Sequence, residues 1–147
     1  MKKIAILGST GSIGTQALEV VREQPEHFQV ELLTCNGKVD LLIEQALEFK
    51  PNAVVIGDAS KLDAVKDALF PKGVKVFAGA EALEQSVAMA DIDVVLTALV
   101  GYAGLRPTLA AIEAGKAIAL ANKETLVVAG ELVTKAASAK GVNIYPV

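Results

Sequence analysis

An apolar run at residues 3–7 leads directly into Gly8-Ser9-Thr10-Gly11-Ser12-Ile13-Gly14, and this junction limits the chain more than any other feature. The spacing is G-x-x-G-x-x-G, one residue longer in its first interval than the dinucleotide fingerprint G-x-G-x-x-G. The physical demands are the same. Gly8 lets the backbone turn sharply off a strand. Gly11 removes a Cβ where the backbone approaches a pyrophosphate, and Gly14 lets the first helix pack closely against the sheet. A helix opening near Ser12 points its free N–H groups and positive dipole end at an anion. Ser9, Thr10 and Ser12 add hydroxyl donors. A bare glycine triplet also suits a ligand-free turn. Its place between a first strand and an amphipathic helix points to a nucleotide.

The rest of the chain alternates short apolar runs with longer amphipathic segments. Strands are expected at residues 3–7, 30–34, 53–56, 74–77, 93–98, 117–121 and 142–145. Helical spacing of apolar residues predicts helices at 12–23, 39–49, 60–69, 81–90, 105–114 and 123–140. Ser60 is the expected N-cap of the third. Pro107 falls in the first turn of the fifth and Gly115 just past its end, where each is best tolerated. Runs such as Ala53-Val54-Val55-Ile56 do not alternate apolar with polar, as expected of strands covered on both faces. The pattern predicts one α/β domain over residues 1–147, a doubly wound, mostly parallel, Rossmann-like sheet.

Composition narrows the partners. Hydrophobic residues make up 52% of the chain, net charge is −3, and no basic run accompanies the few aromatic residues. Nucleic acid is therefore not an expected partner. The longest apolar stretch, residues 94–105, is well short of the roughly 20 residues of a membrane helix. With one cysteine, Cys35, and an N-terminus running straight into a strand, a reducing, cytoplasmic setting is expected. His27, the only histidine, reads as a solvated or structural residue, Cys35 as a strand-end residue, and Asp91 and Asp93 as turn acids.

Two further places bear on cofactor choice. NAD sites usually carry an acid about 20 residues past the glycines, at the end of strand two. Here that segment is Asn36-Gly37-Lys38, whose amide and ammonium would welcome a 2′-phosphate, so NADPH is favoured over NADH. The plainer alternative is a turn followed by a solvated lysine. At the end of the sixth strand stands Asn122-Lys123-Glu124. Asn122 can donate and accept, Lys123 can neutralise a phosphate, and Glu124 can accept from a ribose or nicotinamide amide. Equally, Glu124 is an acid favoured in a first helical turn.

Taken together, these residues resemble the 1-deoxy-D-xylulose 5-phosphate reductoisomerases. The resemblance covers nearly the whole chain. It rests on residues 6–14, Pro25-Glu26-His27-Phe28, Val100-Gly101 with Ala103-Gly104-Leu105, residues 107–112, Ala121-Asn122-Lys123-Glu124 and Pro146-Val147. It implies an NADPH-dependent oxidoreductase and isomerase of isoprenoid biosynthesis, homodimeric at full length. Such an enzyme converts 1-deoxy-D-xylulose 5-phosphate to 2-C-methyl-D-erythritol 4-phosphate with Mg²⁺ or Mn²⁺. By the same resemblance Thr10, Gly11, Ser12 and Ile13 meet the pyrophosphate and Asn36-Gly37-Lys38 the 2′-phosphate. Asn122 and Glu124 then serve NADPH, and Lys123 the phosphorylated sugar. The family commonly has Gly-Lys-Asn or an Asn-rich triplet where this chain has Asn36-Gly37-Lys38.

In the family, Pro-Val precedes an Asp-Ser-Glu-His block of metal and substrate ligands. Residues 1–147 thus read as an isolated N-terminal domain, with no catalytic group or metal ligand of its own and no expected turnover. Two other classes remain. One is another NADP-dependent dehydrogenase such as aspartate-semialdehyde dehydrogenase, for which Cys35 is wrongly placed as nucleophile. The other is a nucleotide-sensing Rossmann module.

Overall fold

The computed structural model describes residues 1–99, 104–120 and 123–146. Seven strands form one sheet: β1 (Lys2–Leu7), β2 (Phe28–Cys35), β3 (Ala53–Ile56), β4 (Lys75–Ala78), β5 (Val94–Thr97), β6 (Ala117–Leu120) and β7 (Ile144–Pro146). Their order is β4-β3-β2-β1-β5-β6-β7, and every neighbouring pair is parallel. The chain winds outward from β1 to β4, returns to the other side of β1, and winds outward again. That reversal between β1 and β5 is the switch point at which open α/β sheets bind ligands, beyond the carboxyl ends of the strands. The sheet is doubly wound as expected, and parallel throughout its described strands.

Six helices make the crossovers: α1 (Ser12–Glu23), α2 (Val39–Phe49), α3 (Leu62–Leu69), α4 (Ala80–Ser86), α5 (Leu105–Glu113) and α6 (Lys123–Lys140). They divide between the two faces, because a parallel crossover keeps one hand and reversing the winding direction reverses the face covered. On one face Leu18, Val21, Val39, Leu42, Ala46, Val65 and Leu69 pack against Ile6, Leu33, Val54 and Val76. On the other, Val87, Ala111, Ile112, Val133 and Ala137 pack against Ala5, Leu7, Leu32, Val55, Val95 and Ile118. Adjacent residues of one strand thus serve opposite cores, which is why the strands read as continuous apolar runs.

Strand β2 begins at Phe28, two residues before its expected start, the polar Gln29 having broken the apolar run there. The register passes from Ile4↔Val30 to Ala5↔Leu32, so Glu31 is an extra residue opposite β1. Such a bulge shifts which face the following residues meet. Glu31 is only 6% exposed. Burial pushes its carboxyl above the usual range; Asp91 and Asp93 add to the rise, while Lys3 opposes it.

One helix start and one helix end differ from expectation by more than a residue. Ser60 does not cap α3. A short 3₁₀ turn, Ala59–Lys61, comes first, and its cap is Asp58, whose carboxylate accepts from the Ser60 N–H at 3.0 Å. Helix α4 ends at Ser86 rather than Ala90. Gly115, with φ +80°, follows α5 as expected. Between α1 and α2, the Arg22 guanidinium meets the Glu48 carboxylate through Nε and Nη2 and lies 5.3 Å from the Phe49 ring centroid.

The burial pattern gives a direct test. Leu33 is fully buried in the β2 core, and Leu33→Ala should lower stability by about 2–5 kcal/mol through lost burial and a residual cavity. Val20, on the outer side of α1 and 46% exposed, should tolerate Val20→Ala within about 0.5 kcal/mol. Urea unfolding curves of the two variants, read against the unmodified chain, check the contrast.

Candidate nucleotide-binding site

The turn between β1 and α1 is built around close backbone contact. Gly8 has φ +85°, a left-handed conformation that favours glycine. The tightest approach is at Gly14. A Cβ there would stand 2.3 Å from the Gly8 carbonyl oxygen and 2.6 Å from Ser9 Cα. Gly14 therefore lets the first helical turn fold onto the loop itself, not onto the sheet as its spacing had implied. Gly11 differs: a Cβ at that position would meet only the Gly8 oxygen, at 3.6 Å. Among the described residues nothing demands glycine there, whereas an approaching pyrophosphate would.

The turn is tied down by a buried polar clasp. Gly8 N–H donates to Thr34 Oγ1 at 3.0 Å, and Ser9 N–H to the Thr34 carbonyl at 2.9 Å. Ser9 Oγ lies 2.8 Å from Gln45 Oε1 and 3.2 Å from the Thr34 carbonyl, so its one proton is shared between two acceptors. Gln45 Nε2 donates back to the Ser9 carbonyl at 2.9 Å. Ser9, Thr34 and Gln45 are all buried. Ser9 is therefore not a donor to a ligand, contrary to the reading of its hydroxyl from spacing. Gln45 was not legible in sequence. It occupies the buried side of α2, and its role depends on a residue 36 positions earlier.

Gly11, Ser12 and Ile13 are exposed and Thr10 is half-buried. The ladder of α1 starts with Thr15 N–H donating to the Gly11 carbonyl at 2.9 Å, which leaves the amides of Ser12, Ile13 and Gly14 ahead of it. No side chain caps them, and no acid stands in this first turn. Helices α2, α3 and α4 each carry one there, Asp40, Asp63 and Glu81. An uncapped, acid-free helix start beside a glycine turn, at the switch point of the sheet, has the donors and the dipole that suit an anion.

Next to it lies the loop after β2. Asn36 and Lys38 are exposed, and Gly37 is half-buried. The neighbouring loop after β3 fits closely against it: a Cβ on Gly57 would stand 2.2 Å from Asn36 Oδ1. Cys35, at the end of β2, is 6% exposed. Burial pushes its thiol up to about 11, with Lys61 opposing the rise. Lys123 and Glu124 fall in the first turn of α6, just beyond the end of β6. Asn122 lies outside the described residues, as do 100–103 of the expected loop after β5.

A cleft of about 400 Å³, lined by Val21, Arg22, Phe28 and Phe49 among others, opens at the opposite end of β2. Its main charged groups, Arg22 and Glu48, already satisfy each other. His27, near that end and exposed, lies far along the chain from the glycine turn.

A sequence model of one protein family, 1-deoxy-D-xylulose 5-phosphate reductoisomerase, matches residues 4–130. The chain belongs to this family. A 1-deoxy-D-xylulose 5-phosphate reductoisomerase of Bacteroides fragilis is 63% identical over 146 residues, covering 99% of this chain and 38% of the relative. One from Geotalea uraniireducens is 49% identical over 147 residues, again 38% of its length. The chain thus spans a little over a third of the reductoisomerases it matches. The Zymomonas mobilis enzyme, solved in complex with NADPH, superposes with a TM-score of 0.93 at 40% identity, over 99% of this chain and 38% of that one. Another reductoisomerase, solved with NADPH, fosmidomycin and magnesium, gives 0.94 at 38% identity, over 99% and 36% of the two chains. Biliverdin reductase from Synechocystis, at 19% identity and a TM-score of 0.61, shares the fold alone. Family membership excludes the aspartate-semialdehyde dehydrogenase reading, for which a thiol protonated at neutral pH was in any case unsuited.

Two outcomes follow for this site. Gly14→Ala should cost about 1–3 kcal/mol or more from the clash with Gly8 and Ser9, while Gly11→Ala should stay within about 1 kcal/mol; thermal melts of both variants decide. Cys35 should react negligibly with a disulfide reagent at pH 7 in the folded chain and fully once unfolded. Fast native reaction at pH 7 would contradict a buried thiol titrating near 11.

Proposed function

We propose that residues 1–147 are the NADPH-binding domain of an enzyme that isomerises and reduces 1-deoxy-D-xylulose 5-phosphate to 2-C-methyl-D-erythritol 4-phosphate. The single observation that carries this reading is the uncapped start of α1. Its free amides follow a turn where Gly14 must be glycine for the fold and Gly11 only for a visitor. Membership of the reductoisomerase family and close superposition on relatives solved with NADPH support it.

NADPH, when bound, supplies the hydride that reduces the isomerised aldehyde. The chain's part is to hold and orient it. The amides of Ser12 and Ile13, with the backbone at Gly11 and the Thr10 hydroxyl, receive the pyrophosphate. Asn36, Gly37 and Lys38 receive the adenosine 2′-phosphate. Asn122 and Glu124 serve the nicotinamide half at the ends of β5 and β6, and Lys123 attracts the sugar phosphate. Among the described residues no group of three or more His, Cys, Asp or Glu could hold a metal. We assign Mg²⁺ or Mn²⁺ to the full-length enzyme, since the relatives of this family are more than twice as long as this chain. Hydride transfer also needs the substrate held against the nicotinamide, which supplies much of the rate. Among the described residues no helix is long and apolar enough to cross a membrane.

Calorimetric titration tests the proposal. The chain should bind NADPH more tightly than NADH, Lys38→Glu should shrink that preference, and Gly11→Val should abolish binding of both while the variant stays folded. Equal affinities for the two cofactors in the unmodified chain, or undiminished binding by Gly11→Val, would sink the assignment.

A further inference from the structure

We propose that Lys61, in the turn after β3, is a second cation of the 2′-phosphate site and a determinant of NADPH selectivity; this rests on the cofactor reading above. The parallel pairing of β2 and β3 continues past the strand ends. Gly57 N–H donates to the Cys35 carbonyl at 2.9 Å, and Asp58 N–H to the Asn36 carbonyl at 3.1 Å. Asn36 fills the space a side chain at residue 57 would take. The loop after β3 is therefore registered on the loop after β2, side by side at the carboxyl end of the sheet.

Asp58 then closes the chain into the turn that carries Lys61. Its carboxylate accepts from the Ser60 N–H at 3.0 Å and from the Ser60 hydroxyl, and its carbonyl accepts from the Lys61 N–H at 3.1 Å. This geometry sends the Lys61 side chain back over the β2 loop, where Nζ donates to the Gly37 carbonyl at 3.0 Å. Gly37 contributes no side chain, and a Cβ there would meet nothing within 4 Å. The ammonium thus arrives at an open position, one residue before Lys38. It carries three donors, of which the Gly37 carbonyl uses one. Among the described residues no ion pair engages it. The nearest acid in this loop pair, Asp58, is held below its usual range first by the Ser60 hydrogen bonds, then by Lys61. Its Oδ1 is taken up within its own turn by the Ser60 amide and hydroxyl.

Two lysines from different crossovers, Lys61 bonded to the Gly37 carbonyl and Lys38 the next residue along that loop and exposed, match a doubly charged phosphate monoester. They give nothing comparable to a ribose hydroxyl. The charge is therefore selective between the two cofactors, while the bond to Gly37 is shared by both bound states.

That distinction sets the experiment. NADPH and NADH are titrated separately into the unmodified chain, Lys61→Gln and Lys61→Arg. Glutamine can still donate to the Gly37 carbonyl but carries no charge; arginine keeps the charge. Lys61→Gln should weaken NADPH by about tenfold, the scale of one charged contact, and leave NADH within about twofold. Lys61→Arg should retain most of the preference. Equal weakening of both cofactors by Lys61→Gln would assign the residue to loop positioning and overturn the proposal, as would an unchanged ratio. If the unmodified chain shows no preference at all, the cofactor reading fails first and this inference with it; a preference indifferent to Lys61 defeats the inference alone.

Discussion

The buried exchange between Ser9 and Gln45 fastens the glycine turn at the carboxyl end of β1 to its neighbours on β2 and α2. A turn of glycines has no side chains with which to anchor itself, and its conformational freedom would otherwise be large. Here the turn is fastened by its polar atoms. Ser9 is fully buried, and its amide, hydroxyl and carbonyl all meet partners on β2 or α2. Burying those groups without partners would cost about 1–3 kcal/mol each, so the arrangement is closer to all-or-none than a set of surface contacts would be. The amides at the start of α1 are pre-aimed because Gly8 and Ser9 just before the turn are hydrogen-bonded to β2 and α2.

Topology then decides which loops become neighbours. Because β1 lies between β2 and β5, the glycine turn sits at the point where crossovers diverge to opposite faces. The β2 and β3 loops lie to one side of it, and the β6 end to the other. The first side carries Lys38 and Lys61 from separate crossovers, more than 20 positions apart in the chain, on the same loop surface. A dinucleotide laid across the sheet end, pyrophosphate at α1, has its adenosine half on that side.

The core supports this end from both faces. Both faces of β1, β2 and β3 are covered, with Ile6, Leu33 and Val54 on one and Ala5, Leu32 and Val55 on the other. The bulge at Glu31 lies midway along β2, four residues before the strand's carboxyl end, and the register is regular from there to the loops.

Much of this was legible in sequence because it depends on local rules. The glycine spacing, the covered strands, the winding, and Gly115 after α5 each follow from residues within a turn or two of one another. The readings that changed were those in which a side chain answers a distant group. Ser60 has the chemistry of an N-cap, but Asp58 two residues earlier takes its amide. Ser9 has the chemistry of a ligand donor, but burial beside Gln45 consumes its hydroxyl. Gly14 was expected against the sheet and lies against Gly8 and Ser9. Gln45 and Lys61 carry no local signal, since one is an ordinary helical glutamine and the other an ordinary surface lysine until the fold sets them against Ser9 and Gly37. Sequence by itself determined the class of fold and the position of the phosphate turn, because hydrophobic periodicity and glycine placement act over short range. Which polar groups were free to meet a ligand was decided only by the tertiary structure, because a hydrogen-bonding group has few bonds to give and the fold assigns them first.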